Sequence, residues 1–310
     1  MKKAIVIKIV LFCALLKGPI AMTLAQDIPL YGHDLNALTA EKLPRLEVLK
    51  VAEDISVENY FAYMDSIVAN LSSFSGYELT EHLLVRHNAW IMDTLAATDY
   101  YNMMERDSFV YDQRKLLVLR KGQLLNIPDS VTAHQLNNVL ARTWIDINIP
   151  EFKLRIYQDS TLLYDFPIRV GQNKSKYLAM GDRITNLRTK AGIGHIVAHV
   201  KDPQFYNPTD GKRFYTTKRD DKKRTLMPQI PWLVTEVNGI QYGQLIHPTT
   251  NPTTLGKAYS NGCIGTNEGD AWLIYYHAPI ATKVHLRYDL NVEDETGKKI
   301  ELQDIYGYYQ

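Results

Sequence analysis

The sequence predicts an α+β protein in which a small helical region precedes a mainly antiparallel β domain. Three observations carry this. Apolar residues recur at helical spacing from Ser56 to Leu71, they alternate with polar residues from Ile145 to Ile156, and the pattern changes near residue 141.

Taken in order, residues 1–25 read as a secretory signal. Lys2 and Lys3 lead, an apolar run spans Ile9 to Leu16, and Thr23-Leu24-Ala25 forms a small-x-small exit. Lys8 and Lys17 cut the apolar run below the roughly 20 residues a spanning helix needs, and bulky Phe12 before Cys13 argues against a lipid anchor. Residues 26–141 form the helical region. In it, Val57, Tyr60, Phe61, Met64, Ile67, Val68 and Leu71 stripe one helix. A second helical run continues from Thr80 through Leu84, Ile91 and Leu95 toward Met104, and a short helix is expected from Val131 to Leu140.

Residues 142–290 form the β domain. Ile145, Ile147 and Ile149 alternate with Asp146 and Asn148, and Phe152, Leu154 and Ile156 alternate with Lys153 and Arg155. Period two in short runs, broken by Pro150 and by Asp159-Ser160, means antiparallel strands. Further strands are expected in GIGHIVAHV, PWLVTEV, YGQLIHP and TKVHLRYDL, with one helix from Glu268 to Tyr276. The long connection between Asp202 and Trp232 reads as a solvated loop, with a substrate lid as the functional alternative. Residues 291–310 are an extra strand or an ordered extension.

Charge excludes some functions. The chain has 35 basic and 34 acidic residues. Removing Lys2, Lys3, Lys8 and Lys17 with the leader leaves 31 against 34, about −3, so nothing points to nucleic acid. Cys13 leaves too, and Cys263 then has no partner for an internal disulfide.

A lone cysteine is usually an inert buried thiol. In YSNGCIG, however, Gly262 and Gly265 flank Cys263 and allow a tight, open corner of the kind a nucleophile needs. The N–H groups of Gly262 and Cys263 are candidate oxyanion donors, and the helix starting near Glu268 adds a weak positive potential. His247, at the end of a strand-like run, is the nearest upstream base, and the Pro248 carbonyl can fix its tautomer. His195 and His199 lack the glutamate of a zinc-protease helix, and His82 and His87 are five apart and share no helical face. No phosphate loop, dinucleotide fingerprint or CxxC pair is present, and neither a metal nor an organic cofactor is required.

HPTTNPTTLGKAYSNGCIG resembles the hallmark of the L,D-transpeptidase catalytic domain, the YkuD-like family of bacterial cell-wall enzymes. That hallmark is a His, a spacer of roughly fifteen residues, then Ser/Thr-His-Gly-Cys, an apolar residue, and Arg or Asn. The positions His247, Ser260, Gly262, Cys263 and Ile264 match, and RTKAG from Thr189 to Gly192 partly echoes the family's Thr-Pro-x-Gly. Asn261 stands where the family has its second His, Gly265 where it has Arg or Asn, and Pro248 where it has a small residue.

The resemblance implies a β-sandwich-like domain with one or two helices. It further implies Cys263 as the nucleophile, His247 as the base, and Ser260, Asn261, Gly262 and Pro248 as oxyanion or orienting groups. The implied activity is acyl transfer between peptidoglycan stem peptides through a thioester, in the periplasm or cell envelope, with covalent inhibition by carbapenems. An L,D-carboxypeptidase or other peptidoglycan hydrolase with the same Cys and His is the second expectation. A non-catalytic wall-binding module is the third.

Overall fold

The computed structural model describes residues 47–294 and 296–309, so the leader expected at residues 1–25 lies outside the described residues. Six helices are described. They are α1 (Val57–Ser75), α2 (Glu81–His87), α3 (Trp90–Ala96), α4 (Tyr100–Met104), α5 (Ser130–Ala141) and α6 (Glu268–His277). The helical run expected from Thr80 toward Met104 is thus three short helices. The Asn88 side chain accounts for the first break, because its amide donates to both Leu84 O and Asn126 O at 2.8 Å. Asp99 accounts for the next by capping α4, accepting from Tyr101 N at 2.8 Å.

The main sheet has eight strands. They are β1 (Thr143–Asn148), β2 (Lys153–Gln158), β3 (Thr161–Pro167), β4 (Gly192–Val200), β5 (Trp232–Val237), β6 (Leu245–Pro248), β7 (Ile264–Thr266) and β8 (Lys283–Arg287). Their order is β7-β6-β5-β4-β8-β1-β2-β3. Two neighbouring pairs, β6 with β7 and β8 with β1, run parallel and the rest antiparallel. The resemblance implied a β-sandwich-like domain; its hydrogen-bonded core is one eight-stranded sheet, and the other strands among the described residues form two-stranded pairs. One such pair, Thr216–Lys218 with Arg224–Leu226, is a hairpin inside the connection expected to be a plain loop.

Helix α6 explains how the two sequence regions meet. Eight of its ten residues are buried, because β5 and β6 pack on one side of it and α2 and α3 on another. Covered on more than one side, the helix buries even its polar Glu268 and His277. Trp272 and Tyr276 are fully buried, and the Tyr60 ring of α1 lies edge-on to Trp272 at 6.3 Å. The hydroxyls of Tyr60 and Tyr276 share a 2.6 Å hydrogen bond, and Tyr276 OH donates to Glu81 Oε1 at 2.6 Å. The boundary expected near residue 141 falls between α5 and β1, and residues on its two sides share one buried core within a compact unit from Arg45 to Gln310. Among the described residues no helix is long and apolar enough to cross a membrane.

Candidate active site

The parallel pairing of β6 with β7 sets the site. In that register Ile246 is opposite Ile264 and His247 is opposite Gly265. Two residues back along each strand lie Leu245 and Cys263, and side chains two apart share a sheet face. Ile246 and Ile264 are fully buried and hold the pair of strands to the core. His247 and Cys263 then share the opposite face, each half-buried.

His247 has a fixed tautomer. Its Nδ1 lies 2.8 Å from Pro248 O, and because a carbonyl only accepts, Nδ1 carries the proton and Nε2 is left as the acceptor. Burial first, and then the Arg169 charge, lower its pKa to about 4 against the ordinary 6.5, although the bond to Pro248 pulls the other way. The imidazole is neutral at pH 7. The Trp232 ring stands 5.5 Å from it and is backed by Phe205 at 5.4 Å.

Burial pushes the Cys263 thiol above its usual value, while the Leu245 backbone and the Arg169 guanidinium pull it down without cancelling the burial effect. At rest the thiol is therefore protonated, on the sheet face that also carries a neutral imidazole.

The turn carrying Cys263 is tied down by its own side chains. Gly262 has φ 115°, a conformation that glycine alone adopts readily. Ser260 Oγ donates to Cys263 O at 2.6 Å and accepts from Gly262 N at 3.1 Å. The Gly262 N–H, expected as an oxyanion donor, is here engaged by the Ser260 hydroxyl of its own turn. Asn261 is exposed.

The expected contribution of the following helix is also corrected. At the start of α6, Asp99 accepts from Gly269 N at 2.8 Å, and Glu268 carries a carboxylate into the first turn. These acidic groups offset the positive end of the helix.

Thr189, noted in RTKAG, reaches the same turn. Its Oγ1 donates to Gly262 O at 3.0 Å and accepts from Gly171 N at 2.8 Å. Tyr306, in the tail after residue 290, closes the ring by accepting from Thr189 N at 3.0 Å and donating to Gly171 O at 2.8 Å. The segment between His247 and Cys263 is anchored as well, since Asp220 beside the inserted hairpin accepts from Asn251 Nδ2 at 3.0 Å and Thr253 N at 2.8 Å.

Arg169, Trp232 and Tyr306 are residues that the sequence reading did not single out. Trp232 and Tyr306 carry no local signal, since each reads as an ordinary aromatic of a strand or tail. For Arg169 a signal exists in Gly265, because a missing side chain inside a strand leaves space for another.

The other histidines do separate work. His199 lies in register with Leu233, which pairs with Ile246, so it faces away from His247. Its ring stacks on His82 at 5.4 Å, and through Nε2 the two donate to Ala278 O and Tyr275 O. They help line a cavity of about 1110 Å³ on the helical side, where Lys201 is already paired with Glu81 at 2.6 Å. That cavity is lined by neither Cys263 nor His247. No group of three potential metal ligands occurs among the described residues.

Residues 142–286 match the family model of the L,D-transpeptidase catalytic domain, YkuD. Among solved structures, an L,D-transpeptidase from Mycobacterium smegmatis aligns at 14% identity and a TM-score of 0.33, covering 47% of this chain and 59% of that one. The catalytic domain of the E. faecium L,D-transpeptidase aligns at 15% identity and a TM-score of 0.31, over 47% of this chain and 98% of that one. The same E. faecium domain acylated by ertapenem aligns at 15% identity and a TM-score of 0.30, over 47% and 97%. No curated protein matches the sequence.

Proposed function

We propose that the L,D-transpeptidase catalytic domain at residues 142–286 makes this chain a cysteine acyltransferase acting on peptidoglycan stem peptides. The observation that carries this reading is the β6–β7 register, which sets a lone thiol and an imidazole with a free Nε2 on one sheet face. Cys263 is the nucleophile, and His247 is the base and then the acid.

In the first half-reaction Cys263 Sγ attacks the carbonyl on the L side of an L,D bond while His247 Nε2 takes the thiol proton. Because the resting thiol is protonated and the imidazole neutral, this transfer accompanies attack rather than preceding it. The backbone N–H groups of Cys263 and Asn261 meet the oxyanion. Collapse breaks the peptide bond, His247 returns its proton to the departing D-amino acid, and the acyl group stays on sulfur as a thioester. In the second half, the side-chain amine of a neighbouring stem attacks that thioester and gives a proton to His247. The new amide leaves, and the proton returns to the thiol. If water attacks instead, the same residues constitute an L,D-carboxypeptidase. The leader-like residues 1–25 support action in the periplasm or cell envelope. Carbapenems, whose strained carbonyl presents the same target to Cys263, are expected to acylate it.

The test uses the purified protein and a muropeptide bearing a tetrapeptide stem, with and without an amine acceptor. A crosslinked dimer that requires both acceptor and Cys263 supports the transferase. Released D-amino acid with no dimer assigns the hydrolase. Identical product patterns for the protein and its Cys263→Ala variant reject both and leave the wall-binding module.

A further inference from the structure

Glycine at position 265 is not there for its backbone freedom. Gly265 has no positive φ, in contrast to Gly262. What it lacks is room: a Cβ at this position would lie 2.5 Å from Arg169 Nε and 2.8 Å from Arg169 Cγ. Arg169 and Gly265 are direct partners, joined by Arg169 N to Gly265 O at 2.9 Å and Gly265 N to Arg169 O at 3.0 Å. Gly265 is in turn opposite His247. Arg169, Gly265 and His247 therefore form one row across three adjacent strand segments, and its middle member has no side chain. The arginine lies over that gap toward the imidazole, with Cys263 two residues away on the same face.

The arginine is held but not neutralised. Its Nη1 donates to Thr254 Oγ1 at 3.2 Å, and that hydroxyl donates to Asn251 O at 2.7 Å. Arg169 Nε is buried and has no hydrogen-bond partner. The titratable groups facing it are Cys263 and Tyr259 from the nucleophile turn and His247 from β6, and none is a carboxylate. None of the ion pairs among the described residues involves it.

We propose that Arg169 is the positioning residue that electrostatically poises the Cys263–His247 pair, and that residue 265 is glycine in order to admit it. A cation here favours a sulfur that becomes negative during attack and disfavours an imidazole that is charged beforehand. Both effects lower the proton affinity of the pair, so both have the same sign. The motif position where the family carries Arg or Asn is glycine in this chain, and a guanidinium reaches the place from another strand.

This inference rests on the reading of Cys263 and His247 as the catalytic pair, and its test needs no peptidoglycan. Alkylation of Cys263 by iodoacetamide is followed by intact mass at pH 8 in Arg169→Gln, Arg169→Lys and Gly265→Ala. Loss of the cation raises the thiol pKa and lowers the thiolate fraction at pH 8, so Arg169→Gln should react about tenfold more slowly. Gly265→Ala, which displaces the guanidinium without removing it, should slow in the same direction. Arg169→Lys, which keeps the charge, should recover most of the rate. The acid limb of carbapenem acylation should also move to higher pH in Arg169→Gln and stay in place in Arg169→Lys, which separates the charge from loosened packing. If Arg169→Gln does not fold, Gly265→Ala decides. Wild-type alkylation rates in folded Arg169→Gln and Gly265→Ala overturn the proposal, whether or not the protein crosslinks stems.

Discussion

His247 is where the electrostatics of the site is most directly read. Its pKa is lowered to about 4, so the imidazole stays neutral well below the ordinary 6.5. The rate of acylation by a carbapenem, measured from pH 4 to 8, should hold steady down to about pH 5 and then fall. An acid limb at 6.5 or above would contradict a buried, neutral imidazole. Ser260 gives a second residue-level expectation. Ser260→Ala removes the acceptor of Gly262 N–H and the donor to Cys263 O, which should cost about 1 kcal/mol in thermal stability and slow acylation severalfold. Unchanged acylation would mean that the turn keeps its shape without that hydroxyl. At this scale Cys263, His247 and the Pro248 carbonyl were legible because each is local: a glycine-flanked thiol, a strand-end imidazole, and the next residue's carbonyl. Gly265 signals a gap but not what fills it, so Arg169 was not legible: the two are remote in sequence and meet only once their strand segments are laid side by side. The partner of Gly262 N–H is not legible for a related reason, since the serine hydroxyl that takes it turns back on its own loop.

Two elements do more than the sequence indicated. The tail after residue 290, legible only as an extension, delivers Tyr306 into a ring of hydrogen bonds with Thr189, Gly171 and the Gly262 carbonyl beside Cys263. Tyr306→Phe leaves Thr189 N–H and Gly171 O short of a partner in a buried place, at a cost of about 1–3 kcal/mol. The melting temperature should fall and acylation should slow together; a lower melting temperature with an unchanged acylation rate would confine the tail to a purely structural role. Helix α6 is the other element. Its sequence signal was clear at Glu268–Tyr276, but its environment was not, since burial on several sides looks the same in one dimension as burial on one. Glu268 there accepts from the fully buried Arg219 and from Gln113 Nε2 at 2.7 Å. Glu268→Ala and Glu268→Gln both strand that guanidinium without its counter-charge, and each should destabilise the protein by about 3–5 kcal/mol in chemical denaturation. A loss in Glu268→Gln far smaller than in Glu268→Ala would show that hydrogen bonding, and not the charge, is what matters.

Across the molecule, the helices before residue 142 and the sheet after it are bound through α6 into one core. Periodicity showed two regions because helical and strand patterns differ locally, while the contacts that join them are long-range and leave no periodic trace. Residues 142–310 expressed alone would expose the faces of Trp272 and Tyr276 that α1 and α2 cover. That fragment should show no cooperative thermal transition, and a sharp one would make the preceding helices dispensable. The central claim, that this assembly exists to activate one thiol, is tested most directly by intact-mass spectrometry after incubation with a carbapenem. The protein should gain a single adduct, Cys263→Ala should gain none, and His247→Ala should gain it at least about a hundredfold more slowly. An adduct that persists in Cys263→Ala, or a wild-type protein that stays unmodified while its thiol is also slow toward iodoacetamide, would contradict the account.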